Sequence, residues 1–247
     1  MEGVIRVPLA PIRSEPSDRA EMVTQALFGE QIQIESLDAH PNWCTVTLEQ
    51  DGYRGFMDPK LADCSPDAVT AFQAPCHVLP APITAIEWGN RHLHLPAGCR
   101  IPEAAMPEYE ASTPSGALDA AFQFLGAPYL WGGKSILGVD CSGLTQLAGQ
   151  ICGWRIHRDA SLQWAHASNK RSGFSEMEEG DLVFFHKDGS DAITHVGLAI
   201  HSLQNAWQII HASGEVRIDN LTTEGIVRDG RLTHLWTGAS GWPVSAE

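Results

Sequence analysis

The segment IPEAAMPEYEASTPSG, residues 101–116, carries three prolines and few large apolar side chains. Neither a helix interior nor a central strand tolerates that composition, so the segment is expected to be a linker over the surface and a domain boundary. Such a break limits the fold, because each side of it must then bury an apolar face of its own. With 247 residues and 43% apolar content, the chain is long enough for one large domain or two to three small ones. The apolar period also differs across the break, being near two before it and mixed after it.

Before the break, VIRVPLA, ALFGEQIQIESL, NWCTVTLEQ and DGYRGFM read as short strands joined by polar turns. Val4, Ile32 and Ile34 supply one buried face, and Asp51-Gly52 is a hairpin signal. Residues 1–63 are expected to form a small β-barrel. Residues 64–114 continue in β style with HVLPAP and HLHLPAG but are rich in proline. They are expected to be an abbreviated second barrel or a β connector ending in the linker.

Residues 115–247 are expected to form an α+β domain. Ser115 can cap a helix carrying Leu118, Ala121, Phe122 and Leu125, with Gly126 to stop it. A second helix follows from Leu144, Leu147, Ala148 and Ile151, which place Cys141 in its first turn. DLVFFHK, THVGLAIH and NAWQIIHAS then read as strands.

Composition excludes several function classes. Sixteen Lys and Arg stand against 30 Asp and Glu, a formal charge of −14, which repels nucleic acid and anionic membrane surfaces. No run reaches the roughly 18 apolar residues of a membrane span, and MEGVIRVPLAPIRSEP lacks the layout of an export signal, so a cytoplasmic location is expected. The six cysteines form no CxxC pair, which argues against a disulfide framework or a zinc cluster. His92 and His94 share one strand face without a third ligand nearby, so no metal and no cofactor are expected.

The glycine-rich stretch PYLWGGKSILGVDCSG, residues 128–143, contains GGKS, the tail of a phosphate loop. Such a loop needs glycine five places before Gly133, where Pro128 stands, and a helix directly after the lysine, where SILGVDC follows. A cysteine nucleophile suits the stretch better. A thiol at a helix N-terminus meets unsatisfied amides that favour the thiolate, and the glycines let backbone come close to a substrate. His195 is the candidate base, with Gly197 and Ala199 on the same strand face leaving room for the helix, and His211 ends the next strand where it can orient that base. Taken singly, each residue also has a structural reading, as a small buried thiol or a hydrogen-bonded histidine. Lys134 reads as a bystander or a hydrogen-bonding prop.

Together, PYLWGGKSILGVDCSGL, RDASLQ, EEGDLVFF, THVGLAI and IIHASG resemble the NlpC-type family of papain-like cysteine peptidases that cut bacterial cell-wall peptides. FGEQIQI with WCTVTLEQDGYRGFM resembles the bacterial SH3-like domain that precedes the catalytic domain in one subgroup, the γ-D-glutamyl-L-diamino-acid endopeptidases. The resemblance implies a papain-like domain after an SH3-like barrel, with Cys141 as nucleophile, His195 as base and His211 as third member of the triad. It implies that Asp140, Ser142 and Gly143 complete the DCSG motif and position substrate, and that Tyr129 and Trp131 line the cleft. It implies that Arg158 and Asp159 meet a carboxylate and an amine of the ligand, with Glu30 and Tyr53 as further candidates for the amine beside their plain readings as a surface turn carboxylate and a packing tyrosine. Two departures are the abbreviated region after the first barrel and Ala160, where a small hydroxyl residue is common; Ser161 lies one place later.

The expected reaction is hydrolysis of the bond from γ-D-Glu to diaminopimelate or lysine in a short murein tri- or tetrapeptide with a free N-terminal L-Ala, within cell-wall peptide recycling. Alternatives are amide cleavage or acyl transfer on lipids by the same triad, and a wall-fragment binding protein without catalysis.

Overall fold

The computed structural model describes residues 1–106, 114–202 and 206–243. The middle of the expected linker, 107–113, lies outside the described residues. The chain divides into two compact units, Met1–Thr113 with Trp131–Ile136, and Pro114–Leu130 with Leu137–Glu247. The glycine-rich stretch is therefore shared: Tyr129 belongs to the second unit and Trp131 to the first.

In the first unit, β1 (Glu2–Ile5), β2 (Leu9–Arg13), β3 (Met22–Leu27), β4 (Gln31–Ser36), β5 (Cys44–Leu48), β6 (Arg54–Met57) and β7 (Ala62–Asp63) form one sheet in the order β3-β2-β6-β5-β4-β1-β7. VIRVPLA, read as one strand, is two. Pro8, which has no N–H to donate to a ladder, falls in the gap, and β1 and β2 occupy separate places in the sheet. The alternation in QIQIES is realised, since Ile32 and Ile34 join Ile5, Ile12, Val46, Leu48 and Met57 in the core. Gly52 makes the turn into β6 at φ +73°, with the Asp51 carboxylate accepting from the Tyr53 amide at 2.9 Å.

Residues 64–106 pack into this same unit and begin with a helix that strand patterning alone did not show. In α1 (Pro66–Gln73), Ser65 caps the Ala68 amide and Pro66 occupies the first turn, so Ser-Pro-Asp at 65–67 was a legible start signal. Phe72 of α1 packs against Phe28 and Trp88 at 5.7 Å between ring centroids in each case. Two small pairs follow, β8 (Cys76–Val78) with β11 (Arg100–Pro102), and β9 (Ile83–Trp88) with β10 (Arg91–Pro96). Gly29, at φ +81°, is required here because a Cβ would lie 2.3 Å from the Arg100 carbonyl oxygen. The strand β12 (Lys134–Ser135) also belongs to this unit.

The second unit contains α2 (Ala117–Phe122), β13 (Gly138–Val139), α3 (Cys141–Ile151) and α4 (Ala160–Ala165). Its sheet comprises β14 (Asn169–Lys170), β15 (Leu182–His186), β16 (Ile193–His201), β17 (Trp207–Ser213), β18 (Glu215–Thr222), β19 (Gly225–Arg228) and β20 (Arg231–Gly241). The order is β14-β20-β15-β16-β17-β18-β19, with β19 also pairing β20, so the strands from β15 to β20 close on themselves. One core cluster of this barrel holds Val183, Phe185, Ala199, Ile209, Leu221, Ile226 and Ala239. β18 and β20 were not legible, because charged, Thr and Gly residues break their apolar alternation.

The helices also differ in detail from expectation. The N-cap of α2 is Gly116, and the helix buries Ala117, Ala120 and Ala121 while Leu125 beyond it is exposed. Ser115 instead bonds the Asp119 carboxylate. α3 is buried on every side rather than along one stripe, the pattern of a central helix. It packs on β16 and β17.

Candidate active site

Cys141 opens α3 because Asp140 caps it. The Asp140 carboxylate accepts from the Gly143 amide at 2.7 Å, and its carbonyl accepts from the Leu144 amide at 2.9 Å. Arg158 then grips the cap. Its two terminal nitrogens donate to Asp140 Oδ1 and Oδ2 at 2.9 and 2.6 Å, and one of them to Ser142 Oγ at 2.8 Å. All three side chains are buried, Arg158 to 2% exposure. A buried guanidinium needs a carboxylate to offset its desolvation, and here that partner is the cap. Asp140, Ser142 and Arg158, implied as substrate contacts, are thus engaged with one another at the head of α3.

Gln163 of α4, which the sequence reading did not single out, joins the two helices. It donates to the carbonyls of Ser142 and His157 at 3.1 and 2.9 Å and accepts from Thr145 Oγ at 3.0 Å. The motif RDASLQ was the available signal. Asp159 is the half-buried N-cap residue of α4.

The two expected histidines meet on adjacent strands. His195 of β16 and His211 of β17 are joined Nε2 to Nδ1 at 2.7 Å, and both are buried. His211 Nε2 continues to Asp219 Oδ2 of β18 at 3.1 Å. His234 of β20 stacks on the His195 ring at 4.2 Å between centroids. Asp219 and His234 were not foreseen, because their strands were not legible. Small residues at 197 and 199 do not clear space for the helix as expected. A Cβ on Gly197 would lie 2.7 Å from the Ile210 carbonyl oxygen and 2.8 Å from the Ile209 side chain, and Ala199 packs within the barrel core. What brings β16 to the thiol is its backbone, since the Val196 amide donates to Cys141.

The electrostatics correct the expectation of a resting thiolate. Burial pushes the Cys141 thiol up to about 12, and the Asp140 carboxylate adds to this; the Val196 amide, Arg158 and the Ser142 amide pull the other way without prevailing. Burial also holds His195 well below the usual histidine range, reinforced by repulsion from Lys187 and from His211 and His234 whenever these are protonated. A closed pocket disfavours both ions of the pair. Both side chains are held toward their neutral forms, thiol and imidazole. Tyr129, partly exposed, is likewise raised to about 12 by burial and by Cys141 and Asp140, so its hydroxyl stays protonated and can donate.

A stability consequence follows from His195 and His234, the latter lowered to about 4, first by burial. Below about pH 6.5 the unfolded chain takes up protons that these folded side chains refuse, so stability is full at pH 7 and declines as the pH drops toward the folded values. Thermal scans at pH 7 and pH 5 are expected to show a Tm decrease on the order of 5 °C. His234→Phe should lessen that decrease; an unchanged Tm between the two pH values would contradict the burial argument.

The remaining expected residues lie in the first unit. Glu30 is not a surface carboxylate: at 2% exposure it accepts from the Leu27 amide at 2.9 Å and from Lys134 Nζ at 3.3 Å. Lys134, equally buried, is therefore no bystander, and its amide donates to Gln25 Oε1 at 2.8 Å. Tyr53 packs half-buried against the core with Val7, Val23 and Leu61. Trp131 is exposed and donates from Nε1 to Glu21 at 2.6 Å. His92 and His94 lie exposed on β10, with His92 against Glu87 at 2.5 Å. Among the described residues no group of three or more His, Cys, Asp or Glu is placed to hold a metal ion, and no helix is long and apolar enough to cross a membrane.

Comparison with known proteins agrees with this geometry. Residues 126–231 match the NlpC/P60 family, and residues 12–60 match the bacterial dipeptidyl-peptidase SH3 domain. A γ-D-glutamyl-L-lysine dipeptidyl-peptidase of Bacillus subtilis is 45% identical over 78 residues, which are 31% of this chain and 26% of that protein. The protein of the same name from Bacillus cereus is 25% identical over 85% of this chain and 73% of its own length. Dipeptidyl-peptidase 6 of Lysinibacillus sphaericus is 25% identical over 75% of this chain and 82% of its own length. A crystal structure of an NlpC/P60 family protein from Bacillus cereus shares the fold, with a TM-score of 0.79 at 19% identity over 98% of this chain and 99% of that one. With a capped cysteine helix on a closed barrel carrying paired histidines, the chain contains a papain-like cysteine-peptidase domain of the NlpC/P60 family, following a bacterial SH3 domain in an α+β protein.

Proposed function

We propose that the protein hydrolyses the bond between γ-D-Glu and an L-diamino acid in short murein peptides that keep a free N-terminal L-Ala, releasing the dipeptide. The observation that carries this reading is the hydrogen-bonded line from His195 to His211, on strands that pack against the helix that Cys141 opens. Names of similar proteins, γ-D-glutamyl-L-lysine dipeptidyl-peptidases, support the substrate class.

In the proposed reaction His195 takes the Cys141 proton as Sγ attacks the γ-carbonyl carbon, because the resting thiol is neutral. The tetrahedral oxyanion needs amide donors, and the Gly143 and Leu144 amides are already held by Asp140. The Cys141 amide is the first-turn donor we assign to it, with the Tyr129 hydroxyl as a second. His195 then gives its proton to the departing amine, the C–N bond breaks, and a thioester remains. Water, deprotonated by His195, attacks the thioester carbonyl and frees the thiol. His211 orients the base. Asp159, at the start of α4, is the candidate for the L-Ala amine. A requirement for that free amine would confine the enzyme to released peptides, since the amine is lost to an amide in stems still attached to the wall; this is the reason for reading the reaction as part of recycling.

Mass spectrometry of L-Ala-γ-D-Glu-diaminopimelate and its lysine counterpart tests the reading. Cleavage to the dipeptide and the free diamino acid is expected. Acetylating the L-Ala amine should lower kcat/KM roughly 10–100-fold, the scale of a charged hydrogen bond lost from a desolvated site. Intact free-amine peptides after incubation would remove the proposal.

A further inference from the structure

The geometry points to Asp219 as a positioning residue that fixes the ring tautomers of His211 and His195. This rests on the reading of Cys141 and His195 as nucleophile and base. Asp219 is buried, and its two oxygens accept from Arg217 Nε at 3.2 and 3.1 Å. A carboxylate beside a guanidinium stays ionised and can only accept hydrogen bonds. The proton in its 3.1 Å contact with His211 therefore sits on His211 Nε2.

A neutral imidazole carries one N–H, so His211 Nδ1 is then an acceptor. Its partner at 2.7 Å is His195 Nε2, which must be the donor. His195 is left with an unprotonated Nδ1, the lone pair a general base requires. Nothing in a cysteine and histidine alone selects this tautomer, and the opposite one could not accept the thiol proton. The order is imposed from β18 through β17 to β16. His234, stacked on the face of His195, holds the plane of the ring. When His195 is protonated during turnover, its Nε2–H continues to donate to His211 Nδ1, and Asp219 need not take a proton.

Asp219→Leu makes the test sharp because the bulk is retained and both acceptor oxygens are removed. Arg217 Nε reaches both of those oxygens, one of them shared with His211, so an amide at 219 could still accept from the ring, whereas leucine cannot. Without that acceptor the His211 proton is better placed on Nδ1, where it donates to His195 Nε2, and both rings invert. In long-range 1H–15N spectra of the histidine-labelled wild-type protein at pH 8, His195 and His211 should each carry the proton on Nε2. In Asp219→Leu both should carry it on Nδ1, with kcat on the tripeptide falling roughly 10²–10⁴-fold, the scale of a wrong-tautomer triad, and KM within about threefold.

A wild-type spectrum with the His211 proton on Nδ1, or an Asp219→Leu enzyme keeping kcat within about threefold, overturns the inference. The wild-type spectrum decides the tautomer even if the variant does not fold. Activity of Cys141→Ala and His195→Gln separates the two levels: retained activity in these overturns the catalytic reading itself, whereas their inactivity beside an unimpaired Asp219→Leu overturns only the role of Asp219.

Discussion

Cys141→Ala is expected to lower kcat for the free tripeptide by about 10⁴-fold or more, the loss seen when a covalent nucleophile is removed from an assembled site. The fold should survive, because the change deletes a single buried sulfur and leaves the Asp140 cap and the Arg158 pair in place. A Tm within a few degrees of wild type would show this. The buried, neutral state of the thiol adds a second signature. With the pKa raised to about 12, inactivation by iodoacetamide should climb steadily from pH 6 to pH 9, because the small thiolate fraction grows with each pH unit. A thiolate already formed at neutral pH would instead give a rate that is flat across that range. Cleavage by Cys141→Ala at even a tenth of the wild-type rate would eliminate it as nucleophile.

Arg158→Met is expected to destabilise the protein by about 3–5 kcal/mol, because it strips the partner from a buried carboxylate. That corresponds to a Tm decrease on the order of 10 °C for a chain of this size. The same substitution frees Ser142 Oγ from its 2.8 Å donor and loosens the cap that aims Cys141, so activity should fall with stability. Adding Asp140→Asn to Arg158→Met removes the uncompensated charge while keeping an oxygen to cap Gly143. The double variant should therefore be less destabilised than the two single losses added together. A cost below about 1 kcal/mol for Arg158→Met would mean that solvent reaches the pair and that the head of α3 does not depend on it.

Much of this site was legible residue by residue. Cys141 at the start of an apolar helix, and His195 and His211 ending up on neighbouring strands, follow from local periodicity and from hairpin connectivity. Asp219 and His234 were not legible, since charged, Thr and Gly residues interrupt the apolar alternation of β18 and β20, which are held as strands by pairing within the barrel. The start of α1 was written in Ser65, Pro66 and Asp67 but lay inside a segment whose prolines suggested only turns.

The roles of charged side chains divide in the same way. Sequence spacing brings out Arg158, Asp140, Glu30 and Lys134 as polar residues beside motifs and says nothing of their depth. Folding buries all four and forces them into pairs, Arg158 with Asp140 and Lys134 with Glu30, because a desolvated charge is tolerated only against its opposite. Likewise, a helix N-terminus by itself argues for a thiolate, yet burial and a neighbouring carboxylate reverse the sign. The sequence by itself determined which residue types stand at the ends of which elements, since caps, turns and apolar periods act over a few residues. Only the tertiary structure decided which of those groups are charged, which are paired, and which ring nitrogen is left bare, because those depend on desolvation and on partners distant in the chain.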